Sequence, residues 1–290
     1  MGIKVDNAVI MAAGTSSRFV PLSYEMPKGL IEVRGEILIE RQIRQLKEAG
    51  VPKIYVVTGY LAEHFQYLKD KYEVELIHNP DYLTRNNNAS IHVARHIIRN
   101  SYICSSDNYF VKNPFEFEVD NAYYAAVYAD GETSEWCMTE DEEGYVNTVT
   151  IGGKNAWFML GHAFWSEEFS NRFLDILEKE YALPVTVDKL WEKIYMEHLD
   201  VLKLKIRKYP SDFIFEFDTL DELRLFDASY IDDTRSRILS KVANDLGAKE
   251  SQIIGVQQLK GTDNSAAGFT FSYKGKQYKC FYSNLKIELL

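Results

Sequence analysis

The sequence predicts an α/β protein of three layers, built on a mixed, mainly parallel sheet, with a small C-terminal α+β appendage. Three observations support this class. Short apolar runs alternate with amphipathic segments from residue 8 to residue 108, which is typical of strand–helix units. Longer aromatic segments follow Asn113 and indicate an antiparallel extension. The character of the chain changes again near Ile231, where the appendage begins.

The first hundred or so residues supply the parallel strands. Residues 8–11 form an apolar run that stops at a turn around Gly14. "ILIERQIRQLKEAG" has helical apolar spacing and a terminal glycine. "KIYVVTG", "VELIHN" and "SYICSSDN" are the next strands, and "YLAEHFQYLKDKY" and "ASIHVARHIIR" are helices between them. Ligands of such Rossmann-like sheets bind beyond the carboxyl ends of the strands, so we expect Gly14, Gly59, residues 86–88 and Asp107 to lie together there.

The second half of the chain supplies the antiparallel extension and the appendage. "AYYAAVYAD", "EWCMTED" and "YVNTVTIG" are predicted strands, and "SEEFSNRFLDILEKEYA" and "TVDKLWEKIYMEHL" are predicted helices. A strand "FIFEFD" leads into "TLDELRLFD". "TRSRILSKVANDLG" is a helix with a glycine stop, and "FTFSYKGKQYKCFYS" is a hairpin around Lys274 and Gly275. We divide the chain into a main domain, residues 1–230, and an appendage, residues 231–290, that packs on the main domain or on a partner.

Composition excludes several classes of protein. The formal net charge of −10 argues against an extended nucleic-acid groove, which requires a basic face. No apolar run is long enough to span a bilayer, so no membrane partner is expected. Cys104, Cys137 and Cys280 are too few and too scattered for a disulfide framework, and we expect reduced thiols in a cytoplasmic protein. The sequence leaves the oligomeric state open.

The stretch "MAAGTSSRFVPLSYEMPKGL", residues 11–30, is the strongest functional signal. A small-residue turn after a strand lets backbone N–H groups approach an anion, which predicts a phosphate-binding loop. The residues expected to bind the nucleotide here are Ala12, Ala13, Gly14 and Thr15. Arg18 and Lys28 add cations that do not titrate near neutral pH, and we expect them to be catalytic. The alternative is a pair of surface cations in a loop.

Carboxylates at strand ends form a second signal. Asp107 follows a buried-looking strand; Asp218 follows an alternating one, with Glu216 two residues earlier on the same face. Such carboxylates suit Mg²⁺, which takes one or two of them together with phosphate oxygens and waters. The alternatives are that Asp218 caps the helix "TLDELRLF" and that Asp107 is a turn residue before Asn108.

Polar groups near the third strand are candidates for reading a base. "YLTRNNNASIHVA" offers side-chain amides, and we expect Asn88 and Ser90 to bind the nucleotide. Gly59 and Tyr60, where "KIYVVTG" ends, complete the nucleotide-binding set. The alternative for the three asparagines is a turn and helix cap, a common use of this residue type.

These motifs together resemble a known family. "AAGTSSRFVPLSYEMPKGLIEVRGEILIERQI" looks like the opening of the nucleoside-triphosphate:sugar-phosphate nucleotidyltransferases. Within that family, "SSDNYFVKNPF", "SEWCM", "VDKLWEKI" and "FIFEFDTLDEL" resemble the bacterial CTP:phosphocholine cytidylyltransferases, and the resemblance covers roughly residues 4–230. Ser16 stands where the family usually has a second glycine, and serine fits if its φ stays negative. The resemblance implies that Asp107 and Asp218 hold Mg²⁺ and that the asparagine segment reads the pyrimidine. We expect Glu216 to contribute less to the metal site.

Two tryptophans bear on the acceptor. A quaternary ammonium group cannot donate a hydrogen bond, so aromatic faces and nearby carboxylates recognise it. "SEWCM" supplies Glu135 and Trp136, and "VDKLWEKIY" supplies Asp188 and Trp191. The alternative for Trp191 is a core position, because it lies in a helical apolar stripe.

The expected reaction is Mg²⁺-dependent transfer of a cytidylyl group from CTP to phosphocholine, giving CDP-choline and pyrophosphate. One alternative keeps the chemistry but uses a sugar 1-phosphate, phosphoethanolamine or 2-aminoethylphosphonate as acceptor; the other is a nucleotide-binding regulatory protein without turnover. The tail "GVQQLKGTDNSAAGFTFSYKGKQYKCFY" weakly resembles the first strands of choline-kinase-like proteins. We expect no kinase activity from these residues, and we expect the tail to be dispensable for the chemistry.

Overall fold

The computed structural model describes residues 2–261 and 266–290. The chain forms two compact units, one made of Met1–Gly14 and Leu38–Glu216 and the other of Thr15–Ile37 and Phe217–Leu290. These units follow contacts, whereas the predicted division after residue 230 follows sequence character. The second unit therefore contains both the appendage and most of the loop that carries Arg18 and Lys28.

The described chain contains the following strands and helices. The strands are β1 Ile3–Lys4, β2 Asn7–Ala12, β3 Glu32–Val33, β4 Glu36–Ile37, β5 Ile54–Thr58, β6 Glu75–His78, β7 Ser101–Ser105, β8 Asn108–Phe110, β9 Glu118–Val119, β10 Tyr123–Glu140, β11 Val146–Trp165, β12 Lys205–Tyr209, β13 Ile214–Glu216, β14 Ile254–Lys260, β15 Ala266–Tyr273, β16 Lys276–Phe281 and β17 Ile287–Leu289. The α-helices are α1 Leu22–Glu25, α2 Leu38–Glu48, α3 Tyr67–Tyr72, α4 Asn88–Ala94, α5 Glu167–Glu180, α6 Trp191–Glu197, α7 Leu220–Phe226 and α8 Arg237–Leu246. Short 3₁₀ turns are Lys28–Leu30, Ala62–Phe65, Pro184–Thr186, Ala228–Tyr230 and Glu250–Gln252.

The first unit is built on one central sheet with flanking helices. Its strand order is β12-β10-β11-β7-β2-β5-β6. Strands β7, β2, β5 and β6 are mutually parallel, and β11 is antiparallel to β7. The mixed, mainly parallel sheet predicted from the alternating pattern is confirmed. In this register Met11 lies opposite Ser105 and Ala12 opposite Thr58, so the carboxyl ends of three strands lie at one edge.

The antiparallel extension is also confirmed, with one difference in detail. The two segments predicted as separate strands form one long strand, β10, whose pairing with β11 shifts register between Ala129 and Glu132. The predicted strand "FIFEFD" is present as β13, which pairs with β8 and places Glu216 opposite Asn108. The resulting two-stranded ribbon begins directly after the Asp107 turn.

Helix α2 shows why the amphipathic pattern predicts the flanking layer. Ile39, Ile43 and Leu46 recur at helical spacing, and all three are fully buried. Burying an aliphatic side chain of this size contributes about 1.5–3 kcal/mol. The helix therefore forms where a continuous apolar stripe can be removed from water.

The second unit contains an antiparallel sheet, β14-β15-β16-β17, and the helices α7 and α8. As predicted, α8 ends at Gly247, which has φ +59°, and the β15–β16 hairpin turns at Lys274 and Gly275, with φ +49° and +72°. Residues 262–265 of the tail motif lie outside the described residues. The three cysteines are buried thiols without disulfides. Among the described helices, none has the length and apolar character that crossing a bilayer would require.

Candidate active site

The strand ends of the first unit bring part of the predicted nucleotide-binding set together. Ala12 and Ala13 are buried at the end of β2, and the Tyr60 N–H donates to the Ala13 carbonyl over 3.0 Å. Gly59 is required by close packing, because a Cβ there would lie 2.9 Å from the Ala13 oxygen and 2.6 Å from the Cβ of Tyr82. Gly59 thus allows two loops to approach at this edge of the sheet.

The backbone of the loop differs from the expectation at two residues. Gly14 does not occupy the left-handed region, and no described atom lies within 4 Å of a Cβ built on it, so the turn does not depend on glycine there. Ser16 has φ +48°, in the left-handed region, whereas the sequence argument required a negative φ. That argument was wrong, because the turn keeps the conformation that glycine adopts without cost and imposes it on serine.

Three predicted site residues meet in the second unit. Asp218 Oδ2 lies 2.8 Å from Arg18 Nη1, and Asp218 Oδ1 lies 3.6 Å from Lys28 Nζ. The Lys28 side chain is 5% exposed and the Arg18 side chain 73%. Asp218 is not the helix cap, since Thr219 caps α7 in a capping box with Glu222. Asp218 is therefore placed among cations, one step before the helix begins.

The other two predicted carboxylates lie in the first unit. Asp107 follows β7 in a turn, where its Oδ1 accepts a hydrogen bond from the Ser105 hydroxyl at 2.6 Å. Glu216, at the end of β13, accepts from the Asn108 side-chain amide at 3.1 Å. Asn108 is itself 1% exposed. Asp107 therefore lies just before the ribbon, and the buried Asn108 amide holds the Glu216 carboxylate on it.

Helix α2 holds the Asp107 turn through side chains that the sequence argument missed. The buried Gln42 amide donates to the carbonyls of Ser105, at 2.8 Å, and Asn108, at 3.0 Å, which flank Asp107. Gln45 donates to the Phe110 carbonyl at 3.2 Å. In the sequence, Gln42 and Gln45 are polar residues at helical spacing beside an apolar stripe. Such a pattern ordinarily indicates a helix face exposed to solvent, so it did not reveal that both amides bind backbone carbonyls.

The predicted metal ligands are of a type that Mg²⁺ accepts. The carboxylates of Asp107, Glu216 and Asp218 are hard oxygen ligands, and Mg²⁺ needs only one or two of them besides phosphate oxygens and waters. Among the described residues, no group of three or more His, Cys, Asp or Glu side chains is placed to hold a metal ion. Any Mg²⁺ bound by one of these carboxylates would therefore need further oxygen ligands from a substrate or from water.

The asparagine segment contacts protein backbone rather than open space. Asn88 is fully buried, and its amide donates to the carbonyls of Thr186, at 2.9 Å, and Lys189. The Ser90 hydroxyl, also buried, accepts from Asn79 at 3.3 Å. The Asn88 contacts indicate a structural role, because its amide binds the segment before α6. Ser90 instead bonds to the residue that follows β6.

The four predicted acceptor residues are not equivalent. Trp191 is 1% exposed and packs against Trp165 and Tyr124, with ring centroids 5.0 Å and 5.5 Å away. Trp191 therefore occupies a core position, which was the alternative suggested by its place in a helical apolar stripe. Trp136 is only partly buried against the same core. Glu135 and Asp188 are exposed and so remain candidates, with Trp136, for contact with a ligand.

Glu192 is a functional candidate that the sequence argument did not single out. Its carboxylate accepts hydrogen bonds from Tyr124 Oη at 3.2 Å and from the Asn87 amide at 3.1 Å. Burial raises the pKa of Glu192 to about 7, and these two neutral donors only partly oppose the shift. A carboxyl group that changes charge near neutral pH is typical of functional sites.

Comparison with known proteins places the fold and the sequence in a family. Residues 8–114 match the model of the MobA-like NTP transferase domain. The chain is 32% identical over 217 residues to choline-phosphate cytidylyltransferase of Streptococcus pneumoniae, covering 75% of this chain and 95% of that enzyme. It is also 32% identical to 2-aminoethylphosphonate cytidylyltransferase of Lancefieldella rimae, covering 78% of this chain and 93% of the relative. The solved structure of CTP:phosphocholine cytidylyltransferase (LicC) from S. pneumoniae superposes with a TM-score of 0.75 at 31% identity, covering 78% of this chain and 99% of that one.

The fold and the site define a nucleotidyltransferase. Within that class, the chain belongs to the family of the choline-phosphate cytidylyltransferases, as the motifs predicted.

Proposed function

We propose that the protein transfers a cytidylyl group from CTP to phosphocholine, giving CDP-choline and pyrophosphate. The observation that carries the proposal is the cluster of Arg18 and Lys28 around Asp218, in a chain that covers 95% of a choline-phosphate cytidylyltransferase. Two cations beside a carboxylate suit a triphosphate that brings its own metal.

The reaction requires no covalent intermediate on the protein. A phosphate oxygen of phosphocholine attacks the α-phosphorus of CTP in line, a new P–O bond forms, and the bond from this phosphorus to the β-phosphate oxygen breaks. Pyrophosphate leaves with the electron pair of that bond. The nucleophile is already an anion, so it needs no general base. Catalysis then consists of holding the two substrates and neutralising charge.

The chain's own residues have distinct roles in this proposal. Arg18 binds phosphate oxygens through its fork of donors, and the buried Lys28 acts as a fixed charge on the reacting phosphates. Ala12, Ala13, Gly14 and Thr15 let the backbone approach the nucleotide, with Gly59 and Tyr60 beside them. Asp107, Asp218 and, to a lesser extent, Glu216 would hold Mg²⁺, which supplies charge stabilisation of the leaving pyrophosphate.

For the acceptor, we propose Trp136 as the aromatic face for the quaternary ammonium, and Glu135, Asp188 and Glu192 as the candidate carboxylates. Trp191 supports this region from the core by stacking on Tyr124. A cytoplasmic location belongs to the proposal as well, because the cysteines are buried thiols without disulfides.

A second acceptor is favoured by one specific observation. The chain covers 93% of a 2-aminoethylphosphonate cytidylyltransferase at the same identity. That acceptor carries a primary ammonium, which donates hydrogen bonds to carboxylates, whereas choline relies on aromatic faces. The exposed Glu135 and Asp188 suit either group, so the two acceptors must be compared directly.

Pyrophosphate release tests the proposal. Each of CTP, UTP, ATP and GTP is combined with phosphocholine, phosphoethanolamine, 2-aminoethylphosphonate or glucose 1-phosphate, and Lys28→Ala serves as the inactive control. We expect turnover with CTP and phosphocholine to exceed every other pair. A higher kcat/KM with 2-aminoethylphosphonate would transfer the assignment to the second acceptor, and no release with any pair would overturn the enzyme proposal.

A further inference from the structure

The loop that carries Arg18 and Lys28 packs on the C-terminal part of the chain. Thr15–Ile37 belongs to the same compact unit as Phe217–Leu290. The contacts are of several kinds, and they are distributed along the loop. These contacts join a loop motif typical of nucleotidyltransferases to a tail that lies outside the motifs of the family.

Glu25 makes the most specific of these contacts. It is the last residue of α1, and its carboxylate lies at the N-terminus of α8. There it accepts hydrogen bonds from the Arg237 N–H at 3.0 Å, the Ile238 N–H at 3.2 Å and the Ser236 hydroxyl. The first N–H groups of a helix have no partner within the helix, and a carboxylate is favoured there by the helix dipole. Glu25 thus serves as a cap that reaches α8 from a distant part of the chain.

The neighbouring residue adds an aromatic contact. The Tyr24 ring stacks on Tyr282, with centroids 3.7 Å apart and planes 9° apart. Tyr282 lies just beyond β16, so α1 is held both by a helix and by the sheet of the appendage. A stacked aromatic pair is stabilising beyond the burial of its surface.

The far end of the loop is held as well. The Arg34 N–H donates to Asp227 Oδ2 at 2.7 Å, and its guanidinium lies 3.8 Å from the centre of the Phe226 ring. The Tyr230 hydroxyl donates to the Glu32 carbonyl. Arg18 and Lys28 therefore lie on a segment whose later half is fixed on both sides of Lys28.

The path from Glu25 to Lys28 is short and stiff. Met26 is extended, with φ −152°, and Pro27 has φ −53° before the 3₁₀ turn of Lys28–Leu30 begins. The proline ring removes one of the soft torsions between the two charged residues. Pro27 therefore leaves fewer torsions between Glu25 and Lys28 to absorb a displacement of Glu25.

We propose that Glu25 and Tyr24 are positioning residues through which the C-terminal appendage holds Arg18 and Lys28 for phosphate binding. This inference rests on the proposed function, and it reverses the expectation that the tail is dispensable. The appendage then belongs to the catalytic apparatus, although its own residues touch no reacting atom.

Glu25→Gln in the full chain tests the proposal, with Glu250→Gln as its matched control. Glu250 is a carboxylate within the appendage, and it accepts two hydrogen bonds, from the Thr234 N–H at 2.7 Å and the Thr234 hydroxyl at 2.6 Å. We measure Tm, the Kd of CTP by calorimetry with Mg²⁺ present, and kcat. Both variants should lose similar Tm, but only Glu25→Gln should lose CTP affinity and kcat, by about tenfold to a hundredfold, because small misplacements of charge are costly.

Tyr282 provides an independent pair of variants if Glu25→Gln folds poorly. Tyr282→Phe keeps the stack on Tyr24 and should retain wild-type kcat, whereas Tyr282→Ala should lose it. Tyr278→Ala removes a different stack of the same sheet, with Phe271 at 5.5 Å, and should leave kcat unchanged.

The outcomes separate this inference from the proposed function. Equal CTP affinity and kcat in Glu25→Gln and Glu250→Gln, together with wild-type kcat in Tyr282→Ala, would overturn the positioning role while cytidylyl transfer stands. A wild-type protein that neither binds CTP nor releases pyrophosphate would instead overturn the proposed function.

Discussion

Arg18 and Asp218 form an ion pair, with 2.8 Å between Nη1 and Oδ2. The arginine side chain is 73% exposed and the aspartate 30%, so solvent screens the attraction. Exposed pairs contribute about 0–1 kcal/mol to the free energy of unfolding. This pair accordingly does little for stability, and we interpret it as a cation and a metal-binding carboxylate placed together for a triphosphate.

Asp218→Asn should separate these roles. The amide keeps the size of the side chain but loses the charge that would hold Mg²⁺, so we expect turnover to fall by about 10²–10³-fold. Loss of the exposed Arg18 pair alone should lower Tm by no more than about 2–4 °C, since such a pair is worth no more than about 1 kcal/mol. Loss of the charge beside the buried Lys28 adds to this decrease. Asp221→Asn, three residues away, is the control and should keep wild-type turnover. If Asp218→Asn turns over near the wild-type rate at saturating Mg²⁺, Asp218 is not a ligand of the metal.

Gln42→Met and Gln45→Met form a matched pair on α2. Both glutamines are buried and both donate to backbone carbonyls, but only Gln42 bonds on either side of Asp107. We expect similar losses of Tm, and an increase of about tenfold in the Mg²⁺ concentration for half-maximal turnover only in Gln42→Met. Mn²⁺ binding in the presence of CTP, followed by electron paramagnetic resonance, provides a readout without turnover. Equal metal affinity in the two variants would contradict a role for Gln42 in holding Asp107.

Glu192 predicts a pH dependence of stability. Its folded-state pKa, about 7, lies above the ordinary carboxyl value of 4.5. The contribution of protonated Glu192 to the free energy of unfolding is therefore fully present below pH 4.5, and it is lost as the pH rises through 7. Glu192→Gln removes this titration, so the Tm of the variant should gain on that of the wild type between pH 5 and pH 8. A Tm difference that does not change over this range would show that Glu192 has an ordinary pKa.

The two tryptophans predict different consequences for the acceptor. Trp136→Ala should reduce the preference for phosphocholine over phosphoethanolamine by about 2- to 30-fold, the range of one cation–π contact, with little change in CTP affinity. Trp191→Ala should lower the free energy of unfolding by about 3–5 kcal/mol and affect both acceptors alike. Melting temperatures and kcat/KM for each acceptor distinguish the cases. An unaltered preference in a folded Trp136→Ala protein would remove this residue from the acceptor site.

The sequence predicts well those features that depend on residues close to one another along the chain. Ile39, Ile43 and Leu46 define α2 because a helix places such residues on one face. Lys274 and Gly275 define a hairpin because few residues tolerate a positive φ. The ordered loop motifs also identify Arg18, Lys28 and Asp218, which the structure brings together.

What the sequence does not predict depends on contacts between distant segments. Asn88 looks like a group for a base edge until the carbonyls of Thr186 and Lys189 are found beside it. Glu25 has no distinguishing pattern, because its partner, Ser236, lies 211 residues further along the chain. Trp191 satisfied both an aromatic-box and a core interpretation, and only its burial separates the two.

The contact between Glu25 and Ser236 joins two segments that are made at different times during synthesis. A ribosome makes Thr15–Ile37 before Phe217–Leu290, so the nascent chain carries the Arg18–Lys28 segment through the synthesis of residues 38–216 without the residues that anchor it. The strands β2, β5, β6 and β7 can pair before then, because all of them are encoded before residue 106. The segment that carries Arg18 and Lys28 is therefore made before its anchoring residues, and it can acquire its final contacts only after they follow.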